Sequence, residues 1–277
     1  MVWGAAAPLE ASCEVVATGQ VDKDIGVLRW TYDVSMDIRR KSVKLSSTQM
    51  TPKSTPPRQP LTRARIVAEG VALADAEGLR GLSMQRLAAR LGVEAMSLYN
   101  HVKNKEALLD GMVDHVVAEI EVPRVGGDWR AAMEKRAHDA HAMLLRHRWA
   151  PLLIVSRVNV GPAMLRYVDA TIGCLIGAGF SYELADRAWN AIDNHIYGFT
   201  LQEQNFPFEP EEYVSAARAF LPMIPAAQYP HLHGMSMNLI EGHHDGIQDF
   251  AFGLSLILEG LEARLRASIR PEANRDR

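Results

Sequence analysis

The chain has 277 residues and a formal charge of -3, with 48% hydrophobic and 7% aromatic side chains. That length can hold one large or two modest cores, and recurrent Ala, Leu and Met with few β-branched runs favours helices. An acidic balance, pI near 6.4, excludes a protein that coats nucleic acid by bulk positive charge but permits a local basic face.

Residues 1 to 60 read as a disordered extension and linker. They hold a mixed stretch around Val27 to Val34, a basic cluster of Arg39, Arg40, Lys41 and Lys44, and a Pro/Ser/Thr run from Thr51 to Pro60. No sustained period marks an element. Two readings stay open for what precedes the linker: an arm whose basic cluster adds DNA affinity, or an extension upstream of a natural start at Met36 or Met50.

From Leu61 the pattern sharpens. Thr62 can cap a helix with Ile66, Gly70, Leu73 and Ala74 on one face, and Gly78 and Gly81 bracket its exit. Ser83 can cap a second helix, in which Met84, Leu87, Ala88 and Leu91 recur at i, i+3, i+4, i+7. Gly92 supplies the left-handed residue that ends it, and a short segment from Glu94 to Asn100 follows. Two short helices around a glycine turn spell helix-turn-helix. Arg58, Arg63, Arg65, Arg80, Arg86, Arg90, Lys103 and Lys105 outnumber Glu69, Asp75, Glu77 and Glu94 in this window, so its local charge is positive. Asn104 can cap a rod reaching Glu121, with Leu108, Leu109, Met112, Val113, Val116, Val117 and Ile120 in one apolar stripe that Pro123 ends.

PRVGGD, Pro123 to Asp128, breaks the chain. A second domain is expected over residues 128 to 268, and a flexible tail over 269 to 277. Asp128 caps a helix from Trp129 to about His147, and Leu152 to Val155 form a short apolar segment. Gly161 and Pro162 open another helix, and Ser181 caps one from Tyr182 to Asn205 with Trp189, Ile192, Ile196 and Phe199 on an apolar face. Phe206 to Gly246 reads as a long loop holding one helix, Glu211 to Phe220. The last helix, Ile247 to about Ala267, carries Phe250, Leu254, Ile257, Leu258, Leu261 and Leu265, and Gly253 and Gly260 let another helix approach. The fold class is all-α, a three-helix helix-turn-helix domain at residues 61 to 121 followed by a larger helical domain.

A short helix in a major groove reads base edges with its early residues while neighbours hold phosphates. Ala95, Met96 and Ser97 are the groove-facing candidates, the first two suited to thymine methyls, and Gln85 has the amide to pair with adenine. Ser83, Tyr99, His101, Lys103 and Lys105 are the backbone-contacting set.

Arg136, Trp189, His195, Tyr197 and Gln202 are polar or aromatic residues on apolar-patterned helices, as in a largely apolar pocket with a few orienting groups. Arg136, Trp189, His195 and Gln202 are the ligand-binding candidates. His138 and His141, three apart, read as packing residues. His231, His233, His243 and His244 with Asp245 match no defined metal spacing, so neither metal nor cofactor is expected. G-x-S-x-G, P-loop, H-E-x-x-H and dinucleotide-binding motifs are all missing, and the chain is not read as an enzyme. Cys13 and Cys174 lie in unrelated contexts, and no run approaches the roughly 20 apolar residues of a membrane span, which reads as a cytoplasmic protein.

LGVEAMSLYNHVKNKEALLDGMV, within residues 61 to 121, resembles the DNA-binding domain of the tetracycline-repressor (TetR) family. The resemblance continues more weakly through the helix led by Trp129, GAGF at Gly177 to Phe180, and FAFGLSLILEGLEARL, to about residue 266. It implies a repressor released from operator DNA by a small-molecule effector. It also implies a ligand-binding and dimerisation role for the second domain, with a homodimer through residues 181 to 205 and 247 to 267, whose apolar faces suit helix-on-helix burial. Gln85 and Ala95 stand where the tetracycline repressor that names the family reads bases with arginine and glutamine, which implies a different operator. Ile154 and Gln202 stand at its magnesium ligands and Arg136 at its drug-contacting asparagine, so a magnesium-tetracycline effector is not expected. The alternative reading is a helical small-molecule binding or modifying protein with a vestigial helix-turn-helix; a third is an architectural DNA protein without an effector.

Overall fold

The computed structural model describes residues 15–21, 28–34 and 60–269, in two units, one ending at Arg58 and the other beginning at Gln59. In the first, β1 (Val15–Val21) and β2 (Leu28–Val34) form an antiparallel hairpin with Val15 opposite Val34 and Gly19 opposite Trp30. This corrects the expectation of an extension without elements. The strand period is there in LRWTYDV, which alternates apolar and polar residues. Met36, Met50, the basic cluster from Arg39 to Lys44 and the linker up to Gln59 lie outside the described residues.

Every regular element among the described residues of the second unit is a helix. α1 (Arg63–Gly81) starts at Thr62, whose hydroxyl accepts the Arg65 amide at 3.2 Å, and kinks at Gly78, where φ is 69°. α2 (Met84–Leu91), α3 (Ala95–Tyr99) and α4 (Lys105–Val117) enclose a small core with α1. Ile66, Leu73, Leu82, Leu87, Leu98, Leu108 and Met112 are all fully buried there, each contributing on the order of 1.5–3 kcal/mol. Gly70 permits the approach of α4: a Cβ there would stand 3.1 Å from Met112 Sδ. The rod expected to reach Glu121 is shorter. Its helix ends at Val117, and the Glu119 and Ile120 amides bond to the Val116 and Val117 carbonyls in a tighter turn. Its apolar stripe through Ile120 is nonetheless buried.

The larger domain comprises α5 (Trp129–Arg146), α6 (Ala150–Ser156), α7 (Pro162–Gly177), α8 (Tyr182–Asn205), α9 (Tyr213–Phe220), α10 (Pro230–Ile240) and α11 (Phe250–Ile269). Asp128 caps α5 by accepting the Arg130 and Ala131 amides, and Ser181 caps α8 by accepting that of Leu184. Met133, Ala137 and Leu144 of α5 meet Leu175 of α7, Ile192 and Ile196 of α8, and Leu254 and Leu258 of α11 in one core.

Three expectations change here. The segment from Phe206 to Gly246 is not a loop with one helix, because α10 follows α9 and opens on Pro230, whose missing amide is harmless in a first turn. No residue of α9 or α10 is buried. The last helix begins at Phe250 rather than Ile247 and continues to Ile269, past the expected end near Ala267; the chain from Arg270, with the rest of the expected tail, lies outside the described residues. No described helix is long and apolar enough to cross a membrane.

Candidate nucleic-acid interface and effector cavity

The interface is built on α2 and α3. Ser83 accepts the Arg86 amide at 3.2 Å, a cap typically worth about 1 kcal/mol. Gly92 adopts φ 68°, ψ 33°, which lets its own amide and that of Val93 bond back to the Ala89 and Ala88 carbonyls. Leu98 and Val102 then anchor α3 and the turn after it in the core. What α3 leaves outside is Met96, 72% exposed, and Tyr99, with Gln85, His101 and Lys103 exposed around them. Ser83 and Ser97 are half-buried. Ala95 packs against the core, which leaves Met96 as the exposed residue of the first turn of α3.

Two features of the basic window differ from a simple charged face. Arg86 and Arg90 turn back to Glu77 and Glu69 of α1, where they brace the helices. Lys105 donates to the Leu82 carbonyl at 2.9 Å, tying the start of α4 to the end of α1. An ammonium has three donors, so this bond leaves the group able to meet a phosphate as well.

α4 belongs to both bodies. Its Asp114 Oδ1 accepts the Ala163 and Met164 amides at 2.8 and 3.0 Å, capping α7. Arg157, after α6, holds Asp110 at 2.6 Å and Glu106 at 2.5 Å on the exposed side of α4.

In the larger domain the four ligand candidates do not gather at one point. Arg136 is 1% exposed; Nη2 donates to Asp193 Oδ1 at 2.6 Å, and Cζ lies 4.6 Å from the centre of the Tyr167 ring. Burial opposes its charge, while Tyr167 and Asp193 more than offset that and hold the guanidinium protonated. Burial likewise pushes the Tyr167 and Tyr197 hydroxyls well above the ordinary tyrosine value, so both stay neutral. The Arg136 Nε and Nη1 atoms and the Trp189 Nε1 atom are buried without a hydrogen-bond partner. All are donors. Arg136 also lines a cavity of about 270 Å³ with Val122, Pro123, Arg124, Ala132 and Lys135.

His195 sits elsewhere, bonded through Nε2 to the Phe250 carbonyl at 2.9 Å and stacked on the Phe250 ring. His141 stacks on the same ring, with its Nε2 2.7 Å from Glu203 Oε2, and His138 meets the ring edge-on. Gly253 makes room for this cluster: a Cβ there would lie 2.5 Å from His195 Cε1. The close approach expected at Gly253 is therefore internal to the chain, whereas nothing stands within 4 Å of a Cβ at Gly260. Gln202 is exposed on α8, two turns beyond His195. Asp193 and Tyr167, which complete the Arg136 site, were not among the sequence candidates. Asp193 is one turn beyond Trp189 on α8, a spacing that could have suggested it; nothing local marks Tyr167. Among the described residues no group of histidine, cysteine and carboxylate side chains could hold a metal ion.

A capped helix-turn-helix joined by a shared helix to a helical domain with unmet buried donors defines a DNA-binding regulator that responds to a ligand. Residues 66–112 match the family described as "Bacterial regulatory proteins, tetR family", and residues 122–265 match "Tetracyclin repressor-like, C-terminal domain". The HTH-type transcriptional repressor DrrR1 of Streptomyces coeruleorubidus is 35% identical over 239 residues, covering 82% of this chain and 87% of that protein. Tetracycline repressor protein class D of Escherichia coli is 28% identical over 217 residues, covering 76% and 93% respectively. The crystal structure of the Streptomyces coelicolor TetR family protein ActR in complex with (S)-DNPA superposes with a TM-score of 0.64 at 30% identity, over 74% of this chain and 99% of that one. The chain belongs to the TetR family of bacterial regulators.

Proposed function

We propose that this repressor acts as a homodimer whose two α3 helices enter successive major grooves of an operator, about 34–36 Å apart, and that an effector in the larger domain changes that spacing. The observation that carries the reading is α4, which packs in the DNA-side core and caps α7 of the effector domain through Asp114. A tilt of α4 moves both ends of the pathway.

On the DNA, Met96, Ser97 and Gln85 face base edges, with Ala95 at their margin, and Ser83, Tyr99, His101, Lys103 and Lys105 hold phosphates. Dimerisation uses residues 181–205 and 247–267 through a stripe other than the one legible in the sequence. Phe250, Leu254, Leu258, Leu261 and Leu265 turn inward, but Phe252 and Leu256, one turn apart on α11, remain 63% and 55% exposed and lead on to the open Gly260. The effector presents acceptor oxygens to Arg136 and Trp189, because buried donors left unmet cost about 1–3 kcal/mol each. ActR, a similar protein, is solved in complex with (S)-DNPA, which supports a ligand-binding role for this chain too. His195 and Gln202 lie outside that donor set: His195 is taken up by Phe250, and Gln202 is exposed.

Footprinting of the purified full-length protein on DNA flanking its own gene, with and without compounds that raise its melting temperature, tests this. Two protected half-sites one helical turn apart, lost on adding such a compound, are expected. Protection identical in both conditions would refute release by effector.

A further inference from the structure

His147 joins elements from both domains. It closes the last turn of α5, its amide bonding to the Met143 carbonyl at 3.0 Å, and it is buried. Its Nδ1 lies 2.9 Å from Asp75 Oδ1 on α1, and its Nε2 lies 3.1 Å from Glu119 Oε1 just beyond α4. Asp75 Oδ1 also accepts the Trp149 indole N–H at 2.6 Å, and Glu119 Oε2 accepts the Arg146 guanidinium at 2.7 Å. A neutral imidazole has one N–H and one lone pair, and a lone pair aimed at a carboxylate oxygen repels it. Only the imidazolium donates in both directions.

The surrounding charges fit that state. Asp75 from α1 and Glu119 from the α4 end bring two negative charges, and Arg146 from α5 offsets one of them. Arg148, next along the chain, points instead to the Gln204 carbonyl at 2.6 Å. An imidazolium balances the remaining charge. Burial works to raise the Glu119 carboxyl, yet the hydrogen bonds and charges of Arg146 and His147 keep it below its ordinary value.

We propose that His147 is the positioning residue by which the effector domain holds the DNA-binding helices. As an imidazolium it ties α1 and the end of α4 to the end of α5, the helix that also carries Arg136. Losing the proton releases one of the two ties, so operator affinity falls as the ring is neutralised. The inference rests on α2 and α3 being the DNA-binding element and is independent of the effector's identity.

The test uses the full-length protein, labelled with ¹⁵N, over roughly pH 5.5 to 8.5. Long-range proton–nitrogen correlation of the imidazole side chains should show both His147 nitrogens protonated at the low end. Over the same range, the Kd for a duplex that the wild-type protein selects from a random pool should rise about threefold or more as the proton leaves, and His147→Gln should flatten that profile. The glutamine keeps one donor for one carboxylate; should it fail to fold, Glu119→Gln, at a partly exposed site, supplies the same comparison. A His147 ring that is neutral throughout, or parallel pH profiles in wild type and variant, would overturn the proposal. Failure to select any duplex would count against the DNA-binding reading alone, since the nitrogen spectra still decide whether the clamp carries its proton.

Discussion

Asp114 occupies the space into which a side chain at Gly161 would grow, and from there its carboxylate receives the first free amides of α7. A Cβ at position 161 meets that carboxylate, so Gly161→Ala must displace it. Gly161→Ala should destabilise the protein by about 1–3 kcal/mol through overpacking and cap loss. Asp114→Ala, which removes the cap without crowding, should cost about 1 kcal/mol. Urea unfolding measures both; two variants as stable as wild type would show that α4 and α7 are not joined by this cap.

Lys103 and Lys105 should separate charge from structure. Lys103→Ala is expected to reduce the slope of log K against log salt by about one while leaving the melting temperature unchanged. Lys105→Ala should reduce the slope similarly and also lower the melting temperature, because the Leu82 carbonyl loses its donor. Met96→Gln should alter which duplexes are preferred in gel shifts. A uniform loss across all sequences would place Met96 outside the reading surface.

Arg136 and Asp193 should respond asymmetrically. Asp193→Ala leaves a guanidinium at 1% exposure without its carboxylate and should cost about 3–5 kcal/mol. Arg136→Met leaves the Asp193 carboxylate unpaired, but that side chain keeps 14% exposure and can reach water, so the loss in thermal melts should be smaller. The same variant should lose the stabilisation given by any compound that protects the wild-type protein. Retained stabilisation would remove Arg136 from the effector site.

Glu119 sets the sign of one acid-pH effect. Its folded-state value lies below the ordinary 4.5, so the folded protein binds fewer protons there than the unfolded chain does as pH falls through this region. Its contribution to stability is complete above the unfolded value and disappears as pH drops through the folded one. Glu119→Gln should therefore show a shallower loss of melting temperature than wild type between about pH 6 and 3.

Phe252→Glu combined with Leu256→Glu should convert the protein to monomer in sedimentation velocity without lowering its helix content, since both positions are solvent-facing in the single chain. A dimer that persists would move the interface off this stripe of α11.

Local chemistry is what the sequence determined by itself. Thr62, Ser83, Asn104, Asp128 and Ser181 each cap the helix expected after them, because a cap is a bond between residues only two or three apart. Gly92 ends α2 in the left-handed conformation for the same kind of reason, and with these signals in place the helix-turn-helix and its family were legible. The strand alternation of β2 and the first turn of α10 at Pro230 are equally local signals, carried by the sequence itself.

Tertiary structure decided everything that joins distant positions. Arg136 meets Asp193 across 57 residues, His147 meets Asp75 across 72, and Lys105 meets Leu82 across 23, and no spacing rule links any of these pairs. It also decided which stripe of α11 turns inward, because a helix with apolar residues at both sets of positions carries no mark of which face meets its own core. Periodicity identifies a face that can be buried; only packing against the other helices chooses it.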